Sequence, residues 1–437
     1  MLETLRNAFK IKDIRNRIIF TFLMLVVIRI GSQLPIPGVN NELFSNWFAS
    51  QTADGMGFFD AITGGSFYNM SIFALNITPY ITSSIIMQLL TIAIPKLEEM
   101  QRDGEEGRKK IAEITRYLTV ALALIEAIAM AISFKRGQML QSDGILTIIM
   151  VIFTLTAGSA VLMWIGERIT EKGVGNGISI VLTINIISRV PNDMGTLYQQ
   201  FITGKSIPKG ILAAVIIIAI IVAMVVFVVF LQGGERRIPV QYSKKIQGRK
   251  TFGGQSSHIP LKVNTAGVIP VIFAQTLMSF PLMIAAFFTV DYSTVGGKIL
   301  LSLSSGNWFN RNNMIYTLGV ILYIVLNIFF AYFYTSITFN PLEIANNMKK
   351  SGGFIPGIRP GKPTSDYLNR MLNYIVFIGA VALAFIAFVP IFFNGVFGAD
   401  VSFGGTSIII IVGVILETVK QIESQLLVRN YKGFLNN

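Results

Sequence analysis

The chain has 437 residues, of which 52% are hydrophobic and only 14% charged, with a mean hydropathy of +0.62. Soluble domains carry about a quarter charged residues, so this composition excludes an ordinary soluble protein and points to a polytopic membrane protein. There is no cysteine and one histidine, His258, which excludes disulfides, thiolate metal sites, Cys nucleophiles and a His-based metal cluster; the net charge of +13 gains meaning only once its location is known.

A basic stretch precedes the first apolar run, 18–37, and no A-x-A-like cleavage site is evident, so this run reads as a retained span and not a signal peptide. Arg29 lies toward its outer end, where snorkelling or bonds to loop carbonyls account for the charge. Between the first two spans sits GFFDAITGGSF (57–67). It is apolar enough to enter a bilayer but too short to cross one, which takes about twenty residues. On its own residues it is an interfacial segment. Span two, 71–94, begins SIFALNITPYITSSIIMQLL; Pro79 breaks its hydrogen-bond ladder, and Asn76, Thr78, Thr82, Ser83, Ser84 and Gln88 are polar. Ile77, Ile81 and Ile85 recur at intervals of four on one helix face, a stripe that periodicity alone assigns to lipid contact or core packing. The sequon Asn76-Ile77-Thr78 lies within this span and is discarded as a glycosylation site.

Span three, 112–133, holds Glu126 deep in ALALIEAIAM, where the carboxyl faces a polar seam or titrates to neutral. Spans four and five, 145–166 and 175–190, flank GVGNG (Gly173 to Gly177). That run lacks the Lys–Ser/Thr ending of a phosphate loop and reads as a flexible entry to span five. Five further runs, 209–232, 266–289, 313–336, 370–393 and 403–426, bring the total to ten. Two connecting segments, 233–265 and 337–370, are too long for simple connectors, basic, and punctuated by Gly and Pro. Orientation by positive charge alone would need only a few Lys or Arg; at this length the loops read as docking loops for an acidic partner, such as anionic lipid, ribosomal RNA or an acidic protein.

With the N-terminus inside, the inner segments hold 28 of the 36 Lys and Arg and 15 of the 23 acids, so the whole net charge lies on one face. Span one then runs inward to outward and span six the reverse. That predicts two five-span halves of inverted topology, 1–190 and 191–437. No H-E-x-x-H or G-x-S-x-G motif and no midplane pair of acids occurs, so no enzyme activity, metal or cofactor is expected. A secondary transporter also suits ten spans in inverted halves, although that class usually places polar or charged groups at the midplane. An intramembrane protease needs a catalytic pair that is absent.

ALNITPYITSSIIMQLL (74–90) and WIGERITEKGVGNGISIVL (164–182) closely resemble the two diagnostic segments of the SecY family, the central channel subunits of bacterial protein translocation. PIPGVN (35–40), GERRIPVQYSKK (234–245), SSHIPLKVNTAGVIPVIFA (256–274), FNPLEIANNMKKSGGFIPGIRPG (339–361) and FGGTSIII (403–410) extend the resemblance from the first span to the last. It implies an all-α polytopic membrane protein with ten transmembrane helices in two inverted halves around a central pore. It implies translocation of unfolded polypeptides across the bacterial plasma membrane, and release of apolar segments through a lateral gate. Both termini are then cytoplasmic. By position, 57–67 resembles the family's plug, with Gly57, Phe58, Phe59, Asp60, Ala61, Ile62, Thr63, Gly64 and Gly65 as its residues and the glycines as a hinge. The family's apolar constriction ring maps onto Ile77, Ile81, Ile178, Leu182, Ile272 and Ile410, with Ile85 continuing the stripe. Such a ring dewets and closes around any polypeptide, whereas a polar ring would leak. The gate cluster maps onto Thr82, Glu126 and Gln275 or Thr276. Arg359 matches a functionally sensitive family arginine, and Arg249 and Lys250 lie in the other docking loop. Asn76 stands where the family pattern has glycine. The implied partners are SecE, SecG, the motor ATPase SecA, the ribosome, membrane lipid, and signal peptides and nascent chains as cargo; no cofactor is implied.

Overall fold

The computed structural model describes residues 2–51, 63–142, 144–203, 207–242, 245–247, 250–252, 256–285, 294–304, 307–308, 314–397 and 405–434. Each of the ten predicted spans carries a helix. In chain order the helices are α1 (Leu2–Lys10), α2 (Lys12–Gly31), α3 (Asn41–Gln51), α4 (Thr78–Ala93), α5 (Pro95–Arg102), α6 (Glu105–Arg136), α7 (Ile145–Lys172) and α8 (Gly177–Phe201). They continue with α9 (Ile207–Gly233), α10 (Ile269–Ala285), α11 (Val295–Ser302), α12 (Thr317–Thr338), α13 (Pro341–Lys350), α14 (Lys362–Phe397) and α15 (Gly405–Phe434). Among the described residues, α6, α7, α9, α12 and α14 each hold a stretch long and apolar enough to cross a membrane alone, and α4 with α5 forms a broken span bent by 101°.

In the first half α4 packs on α6, α6 on α7, and α7 on α8 and α2. In the second, α10 packs on α12, α12 on α14, and α15 on both α9 and α14. The two groups meet where α15 lies against α8 and α1. Phe44 of α3 stands edge-on to Phe67 and Phe134, with centroids 5.5 and 5.6 Å away. That pins Phe67, Met70, Ala74 and Leu75, ahead of α4, into a core shared with α6 and α7.

Span two differs from its expectation. Ser71 forms a β-bridge with Pro35, residues 72–77 are turns, and the helix starts only at Thr78. Asn76 has a left-handed φ of +53°, which no helix tolerates. Pro79 does not break the helix but sits in its first turn, where a missing N–H costs nothing. Span five also differs. α8 continues through Pro191 to Phe201, so position 190 lies inside a helix.

The long basic loops carry strands: β1 (Glu235–Tyr242), β2 (Lys245–Gln247), β3 (Lys250–Phe252), β4 (Ser256–Lys262) and β5 (Gly353–Phe354). β1 is central, antiparallel to β4 with Glu235 opposite Lys262 and Gln241 opposite Ser256, and antiparallel to β5 with Gln241 opposite Phe354. Ile238 and Val240 point inward from β1 onto Leu261, Met348, Ile355 and Leu368. The two loops are therefore one platform with its own small core. In it Arg237 donates to Glu235 at 2.7 Å and holds that carboxyl below the usual carboxylate range.

Candidate pore and its seal

A cavity of about 460 Å³ opens between α4, α6, α7, α8, α10 and α12. Its mouth is polar: Gln88, Arg116, Glu167, Glu171, Asn176 and Tyr334 line it. Glu167 and Glu171 lie near the C-terminal end of α7 and Tyr334 near that of α12, while Asn176 caps α8. Arg116 Nε lies 2.7 Å from Glu167 Oε1, tying α6 to α7 at the rim. The lining also includes Ile81, Ile178, Leu182 and Ile272, from three different helices. A cavity with this lining combines ion-paired polar groups with aliphatic side chains, and a narrow aliphatic passage dewets readily.

The other ring positions sit close by. Ile77 is fully buried in the apolar cluster that contains Leu182 and packs Ile81, Ile178 and Ile272. Ile410 of α15 belongs with Ile186 and Val414 to a neighbouring cluster, and Ile272 packs against both. Ile85 lies apart. From α4 it packs against a cluster that includes Phe273, Ala274 and Met278 of α10 and Val320, Tyr323 and Phe330 of α12.

The GVGNG run sets the floor in place and is not the flexible entry expected of it. Val174 is buried, and its N–H donates to Thr21 Oγ1 of α2 at 3.1 Å. Asn176 Oδ1 caps α8 by accepting from the N–H groups of Ile178 and Ser179 at 3.1 and 3.4 Å. Gly177 donates to Thr170 Oγ1 of α7 at 2.9 Å. A Cβ on Gly177 would lie 1.8 Å from the carbonyl oxygen of Gly166, so only glycine allows α7 and α8 this contact. Ile178 and Leu182 are thereby aimed by three adjacent anchors.

Of the plug residues, Gly57, Phe58, Phe59, Asp60, Ala61 and Ile62 lie outside the described residues, while Thr63, Gly64 and Gly65 are described. Gly64 is docked. Its carbonyl accepts from Arg29 at 3.4 Å and from Ser188 Oγ at 3.2 Å. With a φ of +66° it lies so close to α8 that a Cβ would meet the Asn185 carbonyl oxygen at 2.6 Å. Arg29 therefore bonds a loop carbonyl, one of the two roles its position suggested.

The gate residues are not joined to one another by hydrogen bonds among the described residues. Thr82 donates to its own helix at Thr78 O, 3.0 Å away. Glu126 and Gln275 are buried, Thr276 is half-buried, and one carboxyl oxygen of Glu126 has no partner among the described residues. In the platform, Arg359 is exposed, and its carbonyl accepts from Thr364 at 2.9 Å. Lys250 begins β3, and Arg249 lies outside the described residues. Sequence reading missed Asn185 and Ser188; nothing in the helical pattern of span five marks them as partners of residues over a hundred positions earlier.

Apolar helices packed around a cavity lined by both polar and aliphatic side chains define a polytopic membrane channel. The chain belongs to the SecY family, whose model matches residues 71–419. The protein translocase subunits SecY of Halalkalibacterium halodurans and Bacillus subtilis are each 43% identical to it, and that of Streptomyces scabiei 44%, over the full length of both chains. Among solved structures, one described as a protein-conducting channel superposes with a TM-score of 0.61 at 18% identity, covering 94% of this chain and 92% of that one. Sec61 in the canine ribosome–channel complex from the endoplasmic reticulum superposes with a TM-score of 0.57 at 16% identity, with the same coverage.

Proposed function

We propose that this chain is the protein-conducting subunit of a Sec translocase, which passes unfolded polypeptides through the funnel and releases apolar segments sideways into lipid. The observation that carries this reading is the funnel itself, whose ion-paired mouth narrows onto Ile81, Ile178, Leu182 and Ile272. A transporter site would need polar ligands at that level. Ile77 and Ile410 complete the ring, and 57–67 is the plug. The lateral exit runs between α4 with α6 and α10 with α12, where Ile85 packs across. The two halves divide after α8. Both termini and the β1–β4–β5 platform face the cytoplasm of a bacterial plasma membrane, which the placement of 28 of 36 Lys and Arg supports. The platform, with Arg249, Lys250 and Arg359, receives the ribosome or SecA, and SecE and SecG complete the complex in the membrane. Energy comes from the bound partner and the membrane potential.

Ion conductance of the reconstituted protein, with and without residues 57–62, tests the reading. This deletion spares Gly64 on α8 and Phe67 in the outer core. A tight intact protein and a leaky deletion are expected. Equal conductance would remove the plug assignment, and exchange of a small solute without conductance would favour a transporter.

A further inference from the structure

Two asparagines, Asn76 and Asn185, meet in the interior although 109 positions separate them, and both are 1% exposed. Asn185 Nδ2 donates to Asn76 Oδ1 at 3.0 Å. Burying amides is unfavourable unless they are paired, and an apolar pair would pack here without that requirement. Asn76 has a left-handed φ of +53°, a conformation that asparagine adopts more readily than other side-chain-bearing residues.

Four segments converge on this pair. Ser159 of α7 donates to the Asn76 carbonyl at 3.0 Å. Ser188 of α8 donates to the Asn185 carbonyl at 2.6 Å and lies 3.2 Å from the Gly64 carbonyl. Gly64 itself lies against the Asn185 main chain, with no room for a Cβ. The residues that follow each asparagine belong to the seal: Ile77 is buried in the ring cluster, and Ile186 packs with Ile410. One stretch of α8 thus holds both the start of α4 and the end of the plug segment.

We propose that the Asn76–Asn185 pair, with the Gly64 seat beside it, is a clasp that couples release of the plug segment to separation of the ring. It sets how tightly the resting channel is closed. Asn76 and Asn185 are positioning residues and touch no cargo. The inference rests on the channel reading above.

The test compares Asn76→Gly, Asn185→Ala and the double variant in the reconstituted full chain, with Ile81→Asn as control. Glycine at position 76 accepts the left-handed backbone and removes only the side chain. Resting ion conductance, export of substrates with defective signals, and melting temperature are measured together. Each single variant is expected to raise resting conductance about tenfold, the size set by one buried hydrogen bond lost. The double variant is expected to add nothing beyond the stronger single, because both remove the same bond. Wild-type conductance in either single variant, a lowered melting temperature without a leak, or effects that multiply in the double would overturn the clasp. If Ile81→Asn leaks and the asparagine variants do not, only the clasp falls. If none of them leaks, the ring reading falls with it.

Discussion

Replacing Gly177 with alanine would put a methyl carbon 1.8 Å from the Gly166 carbonyl oxygen and 2.9 Å from Ile169 Cβ. The nearer obstacle is main chain, so no rotamer change clears it. Ordinary contact between heavy atoms lies near 3.5 Å, and α8 would have to retreat by roughly 1.5 Å at its first residue. Overpacking of this kind costs about 1–3 kcal/mol. The bond from Gly177 to Thr170 Oγ1, now 2.9 Å, would stretch as well, adding roughly 1 kcal/mol. Ile178 is the next residue and Leu182 lies about one turn on, so both would ride on the displacement. Gly195 provides the internal control: it lies on the same helix with nothing near its Cβ position, and alanine there gains roughly 0.5–1 kcal/mol of helix stability. The same chemical change on one helix is thus expected to have opposite signs. Thermal unfolding in detergent and conductance in planar bilayers read both. Gly177→Ala should melt several degrees lower and leak, and Gly195→Ala should melt at or above the wild type and stay sealed. A Gly177→Ala protein with wild-type melting and an intact seal would refute the close approach of α7 and α8.

Ile81→Asn and Ile410→Asn should each loosen the ring and pass substrates with defective signals; unchanged signal stringency in both would count against the ring. Arg359→Glu should impair motor- or ribosome-dependent transport without lowering the melting temperature, because the side chain is exposed and only its carbonyl is used locally. Normal transport would remove its docking role. Arg116→Ala should shift stability by less than about 1 kcal/mol, since its ion pair with Glu167 is partly exposed. A larger loss in urea or thermal unfolding would mean that the rim pair holds α6 to α7 more firmly than a screened surface bridge can.

The helices were legible wherever apolar runs were long, because a bilayer demands about twenty apolar residues whatever the packing. Their ends were legible only where local chemistry decides them. Pro79 looked like a breaker because its position in the helix depends on where the helix starts, and that depends on the left-handed Asn76. The apolar run of span five ends at 190, but α8 continues through Pro191 to Phe201. The inward pair Ile238 and Val240 alternates visibly in ERRIPVQY, yet the membrane pattern on either side disguised that segment as loop. The glycine contact at Gly177 and the Asn76–Asn185 pair were invisible for another reason. Each is a relation between segments far apart in the chain, and a single sequence carries no record of which positions meet.

The lateral exit and the pore floor are closed by different physics. The hydroxyls of α4 bond to their own helix: Thr82 to Thr78 at 3.0 Å, Ser83 to Pro79 at 2.7 Å, and Thr91 to Met87 at 2.6 Å. They contribute little across the gate. On the proposed gate, that face is closed by apolar packing of Ile85 against the cluster that includes Phe273, Ala274 and Met278. Toward lipid there is no hydrophobic drive to hold such a contact, because acyl chains are as apolar as the side chains they would replace. An arriving apolar helix therefore substitutes for it at small cost. The floor faces a polar-mouthed funnel instead. Parting Ile81, Ile178, Leu182 and Ile272 exposes aliphatic surface to water, at roughly 25 cal/mol per Å². On the proposed assignment of ring and gate, the barrier to ions and water is thus the stiffer of the two, while the sideways exit yields to any segment apolar enough to prefer lipid.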